Sequence, residues 1–145
     1  MKQVPGPGSK HGIYMYQDGS WRLIRSDGDP LRLEEAGDGV VVVYFDNALC
    51  PACRVQDRYW LDVVSRFSGS PNIRFYVVLC DWFADQCNSE AASKSFKTFG
   101  IAASPTIVVA AVKDGKVVYR EALEGVRESG VISLYIKEAL NKASQ

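Results

Sequence analysis

The stretch Val40-Val41-Val42-Val43-Tyr44-Phe45-Asp46-Asn47-Ala48-Leu49-Cys50-Pro51-Ala52-Cys53 decides the fold of this chain. Val40–Phe45 is an unbroken β-branched and aromatic run, as expected of a strand buried on both faces at the centre of a parallel or mixed sheet. The run leads straight into two cysteines spaced C-x-x-C, with Pro51 in the second slot. Proline suits the first turn of a helix, where its missing N–H is no loss. Val55, Tyr59, Val63 and Phe67 then recur every fourth residue and predict an apolar helical stripe. Arg54, Asp57, Arg58, Asp62 and Arg66 take the other faces, and Ser68-Gly69-Ser70-Pro71 ends the helix.

Working downstream, Ile73–Leu79 reads as a second buried strand, completing a βαβ unit. Asp81–Asn88 is a polar loop carrying Trp82 and Phe83, which either form a recognition patch or cover the edge of the core. Ser89 or Asn88 caps a helix running to Phe99, with Ala92, Phe96 and Phe99 inward and Gly100 at the left-handed cap position. Thr106–Val112 and Val117–Arg120 flank Lys113-Asp114-Gly115-Lys116, a hairpin turn of the Asp-Gly type. Gly125 marks a bulge or bend, and Ser129 caps a last helix whose inward stripe is Ile132, Ile136, Ala139 and Leu140.

Upstream, Ile13–Tyr16 and Trp21–Ile24 flank an Asp-Gly turn and predict a further hairpin. Leu31–Ala36 reads as a short helix, and residues 1–12, rich in Pro and Gly, as a loose arm in which His11 is a solvated residue. The expectation is therefore one α/β domain over residues 13–145, with a mixed sheet, helices on both faces and an extra N-terminal hairpin. The chain has 145 residues, 17 basic and 17 acidic, and no basic run, so the electrostatic footprint of a nucleic-acid binder is lacking. Its longest apolar runs are strand-sized, which argues against a membrane span. The N-terminus has no apolar signal core, so a cytoplasmic protein is expected.

The four cysteines are Cys50, Cys53, Cys80 and Cys87. Cys50 falls where a strand meets a helix, and helix starts carry unpaired N–H groups and partial positive charge that favour a thiolate. Cys53 is about one turn further on and within reach of it. Such a pair exchanges disulfides: Cys50 attacks, and Cys53 resolves the mixed disulfide. C-x-x-C can also supply half of a tetrahedral zinc site, but the C-x6-C spacing of Cys80 and Cys87 is a poor second half, so no metal is expected. Cys80 and Cys87 form a structural disulfide, a second redox pair or free thiols; the disulfide is the favoured reading.

Val41–Cys53 resembles the active-site strand and helix of the thioredoxin superfamily. Phe99-Gly100-Ile101-Ala102-Ala103-Ser104-Pro105-Thr106 resembles that superfamily's segment ending in a cis-proline opposite the cysteines. Thr106–Val112, Lys113–Lys116 and Gly125 resemble its terminal hairpin. The resemblance spans about Val40 to Leu140 and implies the thioredoxin fold, a cis Pro105, and a substrate-docking edge at Ser104 and Pro105. Leu49 and Pro51 join that surface. It further implies dithiol–disulfide exchange on protein substrates, in the reducing direction for a cytoplasmic protein. An electron donor of the thioredoxin-reductase kind, a monomer, and no cofactor beyond the cysteine pair complete the expectation.

Three departures stand out. The dipeptide between the cysteines is Pro-Ala, Leu49 stands where thioredoxins carry Trp, and Tyr44 occupies the position of their buried Asp. Asp46, two residues on and on the same strand face, is the candidate for proton transfer to and from Cys53; a solvated strand-end residue is the alternative. The competing functional class is a redox-inert binding or adaptor module on the same fold.

Overall fold

The computed structural model describes residues 3–145; Met1 and Lys2, the first residues of the expected arm, lie outside the described residues. The chain runs β1 (Gly12–Gln17), β2 (Ser20–Arg25), β3 (Gly39–Asn47), α1 (Pro51–Phe67), β4 (Ile73–Cys80), α2 (Glu90–Thr98), β5 (Thr106–Lys113), β6 (Lys116–Glu124) and α3 (Ser129–Ser144). The strands form one mixed sheet in the order β2-β1-β4-β3-β5-β6. β3 pairs in parallel with β4 and antiparallel with β5, and the β1–β2 hairpin joins through β1 lying antiparallel to β4. The expected α/β architecture with an extra N-terminal hairpin is the one observed. Among the described residues, no helix is long and apolar enough to cross a membrane.

Alternation along β3 builds a core on each face of the sheet. Val40, Val42 and Tyr44 face α1 and α3, where they meet Trp60, Val63, Val64, Ile132, Ile136 and Ala139. Val41, Val43 and Phe45 face α2 with Ala91, Ala92 and Phe96. Side chains on successive strand residues point to opposite faces, so a strand covered on both sides must be apolar at every position. Each buried aliphatic or aromatic side chain contributes about 1.5–3 kcal/mol relative to exposure. The same alternation sends Asp46 and Asn47 to opposite sides of the C-terminal end of β3.

The helix starts and stops are mostly local chemistry. Ser89 caps α2: its Oγ accepts the Ala92 N–H at 3.0 Å and donates to the Ser26 carbonyl at 2.6 Å. Gly100 follows α2 at φ +64°, a left-handed conformation that glycine adopts without steric cost. Gly125 bends the chain at φ +84° and donates its N–H to the Pro105 carbonyl at 2.8 Å.

Four local expectations are corrected. α1 buries Cys53, Gln56, Trp60, Val63 and Val64, while Val55 is 51% exposed. The helix is turned so that Cys53 faces the sheet, which carries Gln56 inward; there its amide donates to the Arg127 carbonyl and accepts the Arg127 N–H. An apolar-only stripe skips such a buried, satisfied amide and is read one face off. Ser129 does not cap α3, since Glu128 holds that position and the Ser129 hydroxyl donates to the Tyr59 carbonyl. Leu31–Ala36 is not a helix: Leu33–Ala36 forms a turn, and Leu31 and Leu33 are buried towards α2.

His11 is the fourth correction, because it is buried and not solvated. Its Nδ1 accepts the Asn88 N–H at 2.9 Å, so the ring proton sits on Nε2, which donates to Asp81 Oδ1 at 3.0 Å. This ties the residues ahead of β1 to the 81–88 loop. Pro5 and Gly6 are buried as well.

Candidate functional site

The C-terminal end of β3 runs on in register before turning into α1. Asn47 pairs with Cys80 on β4, the Ala48 N–H donates to the Cys80 carbonyl at 2.8 Å, and the Leu49 N–H donates to the Asp81 carbonyl at 3.1 Å. The backbone is therefore guided up to Cys50. That residue is the N-cap of α1, with extended φ/ψ of −102° and 111°. Its sulfur accepts the Cys53 N–H at 3.2 Å, the capping bond that a Ser or Asp side chain makes elsewhere. Pro51 opens the helix and is exposed, and Leu49 beside it is 62% exposed. Both cysteines are unbridged and buried.

Cys53 meets a second segment. Its Sγ lies 3.2 Å from Ser104 Oγ, and the Ser104–Pro105 peptide bond is cis. The two landmarks, far apart in sequence, are thus brought together at one sulfur. Asn47, which the sequence did not single out, completes the arrangement: its Nδ2 donates to Ser104 Oγ at 2.8 Å, and its Oδ1 accepts the Phe83 N–H at 2.7 Å.

Behind the cysteines lies a charged cluster. Asp46 is fully buried, Arg54 donates to its Oδ1 at 2.7 Å, and among the described residues its Oδ2 has no hydrogen-bond partner. A solvated strand-end residue is therefore excluded. Arg54 also donates to Asp57 at 3.0 Å and to the Ala48 carbonyl at 2.9 Å. Tyr44 donates to Asp57 at 2.8 Å, with the Cys53 carbonyl 2.9 Å away. Burial, reinforced by the Asp57 charge and opposed by Arg54, pushes the Asp46 carboxyl up to about 8. The Cys53 thiol is pushed up by burial first, then by the Asp46 charge. Asp57 is raised by burial, against the Tyr44 hydrogen bond and the Arg54 charge.

Arg54 and Asp57 read from sequence as solvated helix residues. Their signal, an i,i+3 pair of opposite charge, is shared by many exposed helices, so only the fold reveals that they lie over Asp46. Cys80 and Cys87 form a disulfide that closes the loop between them. Within it Trp82 is 41% exposed and stands edge-on to Phe83, while Phe83 packs on Phe96. The two aromatics thus divide the roles of surface residue and core cover. Among the described residues, no three His, Cys, Asp or Glu side chains are grouped so as to hold a metal ion.

No protein-family profile matches the chain, and no curated protein matches it significantly. Solved structures do. Chloroplastic thioredoxin z superposes with a TM-score of 0.56 at 20% identity, over 81% of this chain and 96% of that one. The thioredoxin of Trypanosoma brucei brucei gives 0.53 at 19% identity, over 72% and 77%. That of Fasciola hepatica gives 0.52 at 21%, over 74% and 86%. At these identities the likeness establishes architecture: the chain has the thioredoxin fold.

Proposed function

We propose that this protein is a thiol–disulfide oxidoreductase that passes two electrons between the Cys50/Cys53 dithiol and protein disulfides. The observation that carries the reading is the pair of unbridged cysteines at the start of α1, with the Cys53 sulfur 3.2 Å from Ser104 Oγ. Fold alone supports no activity; this local chemistry does.

The Cys50 thiolate attacks one sulfur of a substrate disulfide, a Cys50–substrate disulfide forms, and the first substrate thiolate leaves. Cys53 gives its proton to the Asp46 carboxylate and attacks the Cys50 sulfur. The Cys50–Cys53 bond forms and the second substrate thiolate leaves. Asp46 suits the task because its buried carboxyl and the Cys53 thiol act on each other, its Oδ2 has no hydrogen-bond partner among the described residues, and it titrates near the working pH. The Ser104 backbone is the edge for an extended substrate segment, with the exposed Leu49 and Pro51 as its rim, while Pro105, whose carbonyl is held by the Gly125 N–H, shapes that edge from below. Reduction of protein disulfides is the direction assigned for a cytoplasmic setting, with the oxidised pair returned by a donor of the thioredoxin-reductase class acting on a monomer.

Insulin reduction by dithiothreitol, followed as turbidity, tests this. The wild-type chain is expected to accelerate it and Cys50→Ser to abolish the acceleration. Equal rates with both proteins would leave the adaptor reading in its place.

A further inference from the structure

Asn47 stands out as a buried polar side chain that the exchange steps above do not use. It is fully buried at the last position of β3, and both ends of its amide are engaged across long sequence separations. The partners fix its orientation. Phe83 offers an N–H, which can only donate, so the amide oxygen must face it. The amide nitrogen is thereby turned towards Ser104 and donates to its Oγ. A hydroxyl that receives this bond cannot give its own proton back to the same nitrogen. Among the described residues, its other hydrogen-bonding neighbour is Cys53 Sγ at 3.2 Å. With a thiol, either partner of that contact can donate; once Cys53 is a thiolate, only the Ser104 hydroxyl can.

We propose that Asn47 is a positioning residue for disulfide exchange: anchored by the Phe83 N–H, it orients the Ser104 hydroxyl so that its proton points at the Cys53 sulfur. The chain of donation runs from Phe83 N–H to Asn47 Oδ1, from Asn47 Nδ2–H to Ser104 Oγ, and from Ser104 O–H to Cys53 Sγ. It begins in the loop that the Cys80–Cys87 disulfide closes, so that loop supplies the fixed end of the relay. Asn47 touches no reacting atom through its side chain and acts through Ser104.

The consequence is a Cys53 thiolate stabilised from the Ser104 side. The other groups facing this sulfur pull both ways. Burial and the Asp46 charge push the thiol up, and the hydrogen bond with Cys50 adds to that. Ser104 and the Asn47 backbone pull it down. Tyr44 also adjoins Cys53, with Asp57 and Arg54 behind it. Against burial and Asp46, a directed hydroxyl proton brings the resolving thiol closer to the pH at which it must ionise.

The inference rests on the proposed role of Cys53, but its test does not need turnover. In a Cys50→Ser background, which leaves Cys53 as the free thiol, its ionisation is followed against pH by the Cys53 Cβ chemical shift in carbon NMR, a readout that does not depend on reagent access to the buried sulfur. Ser104→Ala is expected to move the midpoint upward by about one pH unit, the size of a hydrogen bond to a charged group. Ser104→Thr, which keeps the hydroxyl, is expected to leave it in place. Asn47→Ala, or Asn47→Ser should the alanine variant not fold, is expected to shift it in the same direction. Combined with Ser104→Ala, the Asn47 change is expected to add nothing. An unmoved midpoint in a folded Asn47 variant overturns the proposal, as does a Ser104→Ala midpoint equal to that of the parent. A shift that persists in full without the Ser104 hydroxyl does the same. Failure of the insulin assay with a normal relay would count against the exchange reading and leave the relay standing.

Discussion

Asp46 carries two consequences that can be separated by pH. Its carboxyl titrates near 3.8 in an unfolded chain and near 8 in the folded one. Between those values the folded state holds a proton that the unfolded state has released. The contribution to stability is therefore complete below about pH 4 and is lost as pH rises through about 8. Asp46→Asn, which cannot ionise, is expected to be more stable than the parent at pH 8, by on the order of 5 kcal/mol, with the difference vanishing near pH 4. Urea unfolding at both pH values checks this; a gain of equal size at pH 4 would point to a packing effect instead. The same substitution removes the proposed proton acceptor. Resolution of a Cys50 mixed disulfide is expected to accelerate with rising pH through about 8 in the parent, and to be slower by about 10²-fold, without that rise, in Asp46→Asn. Stopped-flow release of a chromogenic thiol from Cys50 reads it directly.

At the scale of elements, α1 shows how one buried position sets a helix's whole orientation. Cys53 faces the sheet, so Gln56, Trp60, Val63 and Val64 follow it inward at the i+3 and i+4 spacings, and Val55 is left on the surface. The cost of burying Gln56 is offset by two hydrogen bonds to Arg127, which also fix the link between β6 and α3. α2 depends more on its cap. Ser89→Ala removes both the bond to Ala92 and the bond to Ser26. A loss of about 1–2 kcal/mol is expected in urea unfolding, mostly from the cap itself. The Cys80–Cys87 staple spans a separation of seven residues. Replacing both cysteines by alanine is expected to cost about 2 kcal/mol, by release of a short closed loop in the unfolded chain. Thermal unfolding under non-reducing conditions measures this, and mass spectrometry of the alkylated parent verifies that the bond is present.

Over the whole molecule, the two cores are held together by β3, and the N-terminal hairpin serves one of them. Trp21 on β2 stacks on Trp60 at 6.1 Å, and Trp60 in turn meets Tyr44 at 5.2 Å and Phe75 at 5.7 Å. The hairpin thus does two things: β1 pairs with the side of β4 away from β3, and β2 brings an aromatic lid to the core beneath the cysteines. Trp21→Ala is expected to lose about 2–3 kcal/mol, through lost aromatic contact and partial exposure of Trp60. A blue-to-red shift in tryptophan emission and a lowered urea midpoint would register it; an unchanged midpoint would show that the hairpin is only appended to the domain.

Much of this architecture was legible in the residues from Val40 to Cys53. A strand buried on both faces must be apolar at every position, and a proline after a cysteine at its end announces a helix. Those are local constraints, readable without knowing what lies across the sheet. The Asp-Gly turns, the Ser89 cap and Gly100 are legible for the same reason. What the chain alone could not reveal depends on partners distant in sequence. The burial of His11 rests on Asp81 and Asn88, the inward turn of Gln56 on Arg127, and the charged cluster on Arg54 and Asp57 lying over Asp46. Asn47 was not singled out in the sequence; Phe83 and Ser104, placed on either side of it, give it its part. Backbone preference and hydrophobic pattern are properties of neighbouring residues, so the sequence by itself determined the strand, the helix and the cysteine pair. Hydrogen bonding and burial of polar groups are properties of what the fold brings together, so the groups around Cys53 follow from packing between distant segments.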